Sequence, residues 1–509
     1  MWYFAGGDAG FYVTEQLKHL SWLPVLWHPE YGFGVSTLAR MWFDYPYETA
    51  VKALSSIGFS WWFIDKLLWV VVFVLAVYSA YKLALYILGN GKAAILASII
   101  YVSNTYILLL FSGGQIGVSL AYAFAPFVFY RIMSCGKSNL KDQIVNGLCL
   151  ALLVTFDLRI AFLLVVATVF WWYRSLIFLF VAASIHLFWI LPTLVAGGGI
   201  SDLGEQFTNP GMLKFLSVAD FSHSLGLLHP NWPENLFGKV YFMQPEFLVL
   251  PILAFGSLLF VTNSKNQEQR TKNHLLFFAL LALVGAFFAK GVNPPGGGLF
   301  VWMFTNVPGF VMFRDPTKFY LYIAIGYSVL IPYLLQKINK KIVYVLFILF
   351  WIFTLRGFTL HVTNIPQEYV QLTHMLIADS VPSRTLWIPQ KESFAYYSDV
   401  HPILTATAAA SIDSSVKYVI VPIDVNKRIF LNDYKYDPTI REHLIEELSQ
   451  KQLLRVDLFH DLAVFENPAY TGMHVTTPAI VGRQQQLATI GFGISMGFLS
   501  FWLIWIFLH

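Results

Sequence analysis

The stretch "LLWVVVFVLAVYSAYKLALYIL", residues 67–88, decides the fold class. An α-helix rises about 1.5 Å per residue, so about 20 mostly apolar residues cross the roughly 30 Å hydrocarbon core of a bilayer. This run is long enough. The same criterion marks segments near 92–112, 116–134, 143–156, 160–173, 175–196, 246–262, 274–290, 317–336, 342–356 and 485–508. The runs at 143 and 160 are short for full spans, which predicts tilted, re-entrant or longer helices there. Composition agrees, because 57% hydrophobic, 17% aromatic and 12% charged residues over 509 positions cannot be spread over a water-facing surface. The expected fold is an all-α polytopic membrane protein of about eleven transmembrane helices carrying a small α/β domain.

The formal net charge of +4 is small for this length and gives no nucleic-acid footprint. Cys135 and Cys149 have neither metal-ligand nor redox spacing, so no disulfide framework is expected. The first six residues hold neither a basic stretch nor a long apolar one, and no signal peptide is expected.

Orientation follows from the basic residues, which gather at Lys92, at Arg131, Lys137 and Lys141, at Arg174, at "NSKNQEQRTKN" (263–273) and at "KINKK" (337–341). The positive-inside rule makes those loops cytoplasmic. Alternation then puts 1–60, 113–115, 157–159, 197–245, 291–316 and 357–484 on the extracytoplasmic side of the cell membrane. The organisation reads as an outer loop with amphipathic segments over 1–60 and a transmembrane core over 61–356 with outer loops 197–245 and 291–316. An outer α/β domain over 357–484 and a C-terminal span over 485–509 complete it. In that α/β domain, "RTLWI" (384–388), "KYVIVPI" (417–423), "LLRVDLF" (453–459) and "LAVFEN" (462–467) read as strands and "TIREHLIEELSQKQ" (439–452) as a helix.

Charges at the membrane boundary are costly and tend to face a cavity or a partner. Three outer stretches carry them. The opening loop has Asp8, Glu15, His28, Glu30 and Asp44, and its run "WLPVLWHPEYGFG" suggests a structured, membrane-hugging segment. "TFDLR" puts Asp157 and Arg159 on a tight turn between apolar helices, and "MFRDPTKFY" puts Arg314, Asp315 and Lys318 just before another. Each set alone also reads as turn residues and interfacial anchors. Together, on one side, they suit one chemistry. A sugar on a lipid phosphate already has a good leaving group, so transfer to a hydroxyl needs one carboxylate to take the acceptor proton and fixed cations to hold the phosphate. Glycoside hydrolysis would call for a second, protonated carboxyl at a set separation.

On "GGDAGFY", "WLPVLWHPEYGFG", "FDYPYE", "FDLR", "FRDPTKF", "VKYVIVPID" and "DLAVFENP", in this order along most of the chain, the sequence resembles the GT-C membrane glycosyltransferases. Within that group it is similar to the arabinofuranosyltransferase-like and teichoic-acid-glycosylating membrane proteins. The resemblance implies a transferase using a polyprenyl-phosphate-linked sugar and an extracytoplasmic acceptor: a cell-envelope glycan, a lipid or a protein. It implies Asp8 as general base and Arg159, Arg314 and Lys318 as donor-phosphate ligands, with Glu30, Asp44, Asp157 and Asp315 in support. No cofactor is required. A divalent cation, Mg or Mn, is compatible with the resemblance, and no local spacing demands one. His223 and His229, in "FSHSLGLLHPNWPEN", are weak acceptor-contact candidates against a plain surface-loop role. Relatives place a spanning helix before the acidic loop, whereas seven residues precede Asp8 here, which predicts either an upstream start or loss of that helix. The competing readings are a flippase or transporter of lipid-linked glycans and a non-catalytic scaffold. Against transport, the sequence shows no pair of Gly/Pro-broken apolar segments at corresponding positions in two halves, and the charges gather at one face rather than at the midplane.

Overall fold

The computed structural model describes residues 2–4, 10–134, 139–169, 176–196, 210–230, 243–261, 266–356, 358, 362–406, 412–423, 439–474 and 477–508. The chain divides into two units: Met1–Leu67 with Phe188–Gly197 and His361–Phe492, and Leu68–Leu187 with Gly198–Leu360 and Gly493–His509.

Among the described residues of the second unit every regular element is a helix. Across the chain, five helices are long and apolar enough to cross a membrane: Trp61–Leu88, Ile116–Ser134, Thr271–Ala289, Pro316–Ile338 and Ala479–Leu508. Two bent pairs, Gly91–Val102 with Thr105–Ser112 (43°) and Ile177–Ile185 with Leu187–Val195 (84°), raise the number to seven if each is one span. Among the described residues five to seven helices thus meet the length of a span, against the eleven expected. Every expected segment is helical in part, but Leu140–Phe156, Leu158–Ala167, Pro245–Phe260 and Lys341–Thr354 are shorter than a span. A polar cap separates the first two. Asp157 closes the helix Leu140–Phe156 and, accepting from the backbone of Arg159 and Ile160, opens Leu158–Ala167. Apolar content alone does not register such a break.

The helix Tyr320–Ile338 is the centre of this unit, buried from Tyr320 to Leu335. It lies tightly against Asn266–Ala289 because glycines face the contact. A Cβ on Gly326 would come within 2.7 Å of Phe278 O, and one on Gly285 within 2.7 Å of Tyr322 Cβ. Small residues that let backbones approach replace the hydrophobic drive that lipid does not supply.

The first unit holds all the described strands. β1 (Trp2–Tyr3) pairs antiparallel with β4 (Thr363–Asn364), and β2 (Trp27–His28) with β3 (Val35–Ser36). The remaining five, β5 (Arg384–Trp387), β6 (Ile403–Thr405), β7 (Val416–Val421), β8 (Leu454–Arg455) and β9 (Ala463–Glu466), form one sheet in the order β6-β5-β7-β9-β8. β5 runs parallel to both its neighbours, and β9 antiparallel to both of its own. Leu386, Val419, Val421 and Phe465 pack with Leu444 and Leu448 of the helix Ile440–Gln450 into its core. The α/β expectation holds element by element for these strands and this helix; β6 and the helix Gln367–Ala378 are additions. The opening segment is folded onto this domain. Ile403 N donates to Glu30 O at 2.9 Å and Gly32 N donates to Ile403 O at 2.8 Å, while Phe4 N ties the start of the segment to Asp65 Oδ2 of the helix Trp61–Leu88 at 2.7 Å. The run "WLPVLWHPEYGFG" is thus a small hairpin, with Trp22, Leu23, Val25 and Phe33 exposed.

Candidate functional site

In the second unit, a polar cap and a following turn build a charged cluster. Asp157, 1% exposed, holds Arg159 through both carboxylate oxygens: Arg159 Nη2 donates to Oδ2 at 2.5 Å and Nε to Oδ1 at 3.1 Å. Asp315 caps the turn Pro316–Phe319 through Thr317 N at 3.0 Å and takes the Lys318 ammonium at 2.6 Å. Burial alone would raise the Asp315 pKa, but the Lys318 charge and the Thr317 hydrogen bonds outweigh it and hold the carboxyl below its usual range. Arg314 is lowered, first by burial and then by the charge of Arg159, while Asp315 opposes the shift. The structure therefore brings Asp157, Arg159, Arg314, Asp315 and Lys318 into one electrostatic group. Three cations and two carboxylates leave one positive charge in excess.

His229 joins this group. Its ring stacks on Tyr106 and lies 5.0 Å from the Tyr320 ring, and its backbone N donates to Thr105 Oγ1 at 3.0 Å. Burial pushes its pKa down to about 3, so the ring is neutral at pH 7. His223 is also buried, with Nδ1 2.8 Å from Asp220 Oδ1. Both histidines are packed inside the unit, which corrects the surface-loop reading. A cavity of about 10 Å³ lies among Tyr106, Leu109, Leu110, Gln115, His229, Asp315 and Thr317, enough for one water-sized atom.

In the first unit the acids gather around the helix Met41–Ser56. His28 Nδ1 stands 2.8 Å from Glu30 Oε1, and Asp44 pairs with Arg40 at 3.0 Å. Burial lowers His28, but the Glu30 hydrogen bond and charge outweigh it and raise it. Asp44 is raised by burial, only partly offset by Arg40 and His28. Glu48, four residues beyond Asp44 on the same helix face, has no hydrogen bond or ion pair among the described residues. Burial raises its pKa from 4.5 to about 7; His28 opposes that shift, and Asp44 and Glu30 reinforce it. The tyrosines Tyr12, Tyr31, Tyr47 and Tyr397 stand within reach of its charge. Asp8 lies outside the described residues.

Glu48 was missed as a candidate although it ends the quoted run "FDYPYE"; its i, i+4 spacing from Asp44 was the available signal. Tyr106 and Gln115 left no trace in the sequence, since nothing local separates them from other apolar-helix residues. Among the described residues no three of His, Cys, Asp or Glu gather closely enough to hold a metal ion.

No protein-family model and no curated protein sequence matches the chain. Its fold has solved counterparts. The cryo-EM structure of arabinofuranosyltransferase AftD from mycobacteria is similar with a TM-score of 0.57 at 13% identity, over 88% of this chain and 37% of that one. An arginine-to-serine mutant of that enzyme gives 0.54 at 12% identity, over 93% and 40%. The chain spans under half the length of that enzyme, and the likeness is one of fold. At that level the resemblance to the GT-C group read from the sequence is matched in three dimensions.

Proposed function

We propose that the chain is an integral membrane glycosyltransferase of GT-C type, moving a sugar from a polyprenyl-phosphate donor to an extracytoplasmic glycan, lipid or protein acceptor. The observation that carries the reading is the partly buried turn cluster of Arg159, Arg314 and Lys318, one positive charge in excess of Asp157 and Asp315, within a fold shared with a membrane arabinofuranosyltransferase. In the reaction the acceptor oxygen bonds to the anomeric carbon, the bond from that carbon to the phosphate oxygen breaks, and polyprenyl phosphate leaves. The acceptor proton passes to a carboxylate, assigned to Asp8, while Arg159, Arg314 and Lys318 stabilise the charge growing on the phosphate. Asp157 and Asp315 hold Arg159 and Lys318 in fixed positions, so little reorganisation is needed when that charge appears. Glu30 and Asp44 support the acidic loop. The Lys and Arg bias of the loops puts the reaction on the extracytoplasmic face of the cell membrane.

The test is transfer from polyprenyl-phosphate sugars in membranes holding the wild-type chain or Asp8→Asn. Removing a general base lowers turnover about 100- to 10,000-fold with donor binding retained. Near-normal transfer by Asp8→Asn would move the base elsewhere. Absence of transfer from any such donor by the wild type would overturn the function.

A further inference from the structure

Four tyrosines meet beside the break between the helices Gly91–Val102 and Thr105–Ser112. Three have their hydroxyls satisfied: Tyr101 donates to Tyr122 O at 2.6 Å, Tyr122 to Tyr101 O at 2.8 Å, and Tyr320 to Leu228 O at 2.9 Å. Tyr106 packs among them, its ring 5.6 Å from that of Tyr122 and 5.5 Å from that of Tyr320, and is 1% exposed. Its hydroxyl alone of the four has no hydrogen-bond partner among the described residues. The break itself is otherwise well provided. Asn104 accepts from Tyr106 N and donates to Ile100 O, Tyr101 O and Tyr122 Oη, and Thr105 Oγ1 donates to Leu227 O. A buried hydroxyl left without a partner costs stability, and phenylalanine would fill the same volume without that cost.

The location of Tyr106 gives the reason for a hydroxyl. It lines the small cavity with Gln115, His229, Asp315 and Thr317, and the charges bearing on it are those of Asp315, Asp157 and Arg159. Asp315 is committed to Lys318 and Thr317, so its negative charge is compensated within its own turn. The cavity has room for one water-sized atom, its wall carries an unused neutral donor and the Lys318-paired Asp315 carboxylate, and Arg159 is the cation whose charge reaches the hydroxyl; one oxygen of a phosphate held by Arg159 fits that space.

We propose that Tyr106 is a donor-binding residue, its hydroxyl donating a hydrogen bond to one phosphate oxygen of the lipid-linked sugar seated in this cavity. The inference rests on the polyprenyl-phosphate reading above and extends it to a residue outside the charged turns. A neutral donor suits the position because the cluster already holds three cations, and a fourth would have to be desolvated beside them.

Tyr106→Phe in the purified full chain tests this, with two measurements: melting temperature, and affinity for polyprenyl monophosphate against polyprenol, the same lipid without its phosphate. The expected result is an unchanged or raised melting temperature, a loss of about tenfold or more in affinity for the phosphate lipid, and no change for polyprenol. Unchanged affinity for the phosphate lipid would overturn the proposal and leave the cavity a water site. A fall in melting temperature would overturn it too, since the hydroxyl would then have a structural partner. Arg314→Ala separates the two levels of inference. If it weakens phosphate-lipid binding while Tyr106→Phe does not, only the tyrosine assignment fails; if neither variant changes binding, the phosphate reading fails with it.

Discussion

Glu48 shows how far surroundings set the chemistry of one side chain. Removing the carboxylate from water disfavours its charge, and Asp44 and Glu30 add to that, so the group titrates at about 7 instead of 4.5. The consequence for stability has a definite sign. A folded-state pKa above the unfolded one means the folded chain binds more protons between the two values, so the contribution is full below about pH 4.5 and is lost as pH rises through about 7. Glu48→Gln removes that dependence. Melting temperatures measured from pH 4 to 8 should fall more steeply for the wild type than for Glu48→Gln, and parallel curves would refute the shifted pKa. The turn cluster is a different case. Arg159→Ala would leave Asp157 charged and buried without its partner, a change that destabilises by about 3–5 kcal/mol and obscures any effect on ligand. Arg314→Ala, at a half-buried residue of the neighbouring turn, is a second probe of the phosphate site.

At the scale of elements, backbone contact between helices carries the second unit. The approach of Tyr320–Ile338 to Asn266–Ala289 depends on having no side chain at Gly326, where even a Cβ meets the backbone oxygen of Phe278. A backbone atom cannot rotate away as a side chain can. Gly326→Val should therefore cost about 1–3 kcal/mol of overpacking and lower the melting temperature in detergent by several degrees. Gly482→Val, at a helical position with open space around it, should not. Equal melting temperatures for the two variants would show that the close approach is not tight. Polar caps act in the opposite direction at Asn104 and Asp157, ending helices that their apolar sequence would continue.

For the whole molecule, sidedness is the property on which the proposed chemistry depends. Cytoplasmic loops are enriched in Lys and Arg because translocating them is unfavourable, and the runs at 263–273 and 337–341 carry that signature. In a Cys135→Ser, Cys149→Ser background, a cysteine replacing Ser414 should react with a membrane-impermeant thiol reagent added outside intact cells. One replacing Asn266 should not. The reverse pattern would put the α/β domain and its acidic neighbours on the cytoplasmic face and rule out an extracytoplasmic acceptor.

The sequence by itself determined that the chain has several membrane-length apolar helices and an α/β domain with named strands, because burial in lipid and the pleat of a sheet both leave periodic or compositional marks on neighbouring residues. It also singled out Asp157, Arg159, Arg314, Asp315 and Lys318, since charge next to long apolar runs is conspicuous. Only the tertiary structure decided how many helices keep full length, because a single capping asparagine or aspartate at a break changes apolar content very little. It alone revealed Glu48 and Tyr106 as well. A raised pKa and an unsatisfied hydroxyl belong to what surrounds a side chain, and residues distant in the chain supply those surroundings: His28 and Glu30 around Glu48, and His229, Asp315 and Tyr320 around Tyr106.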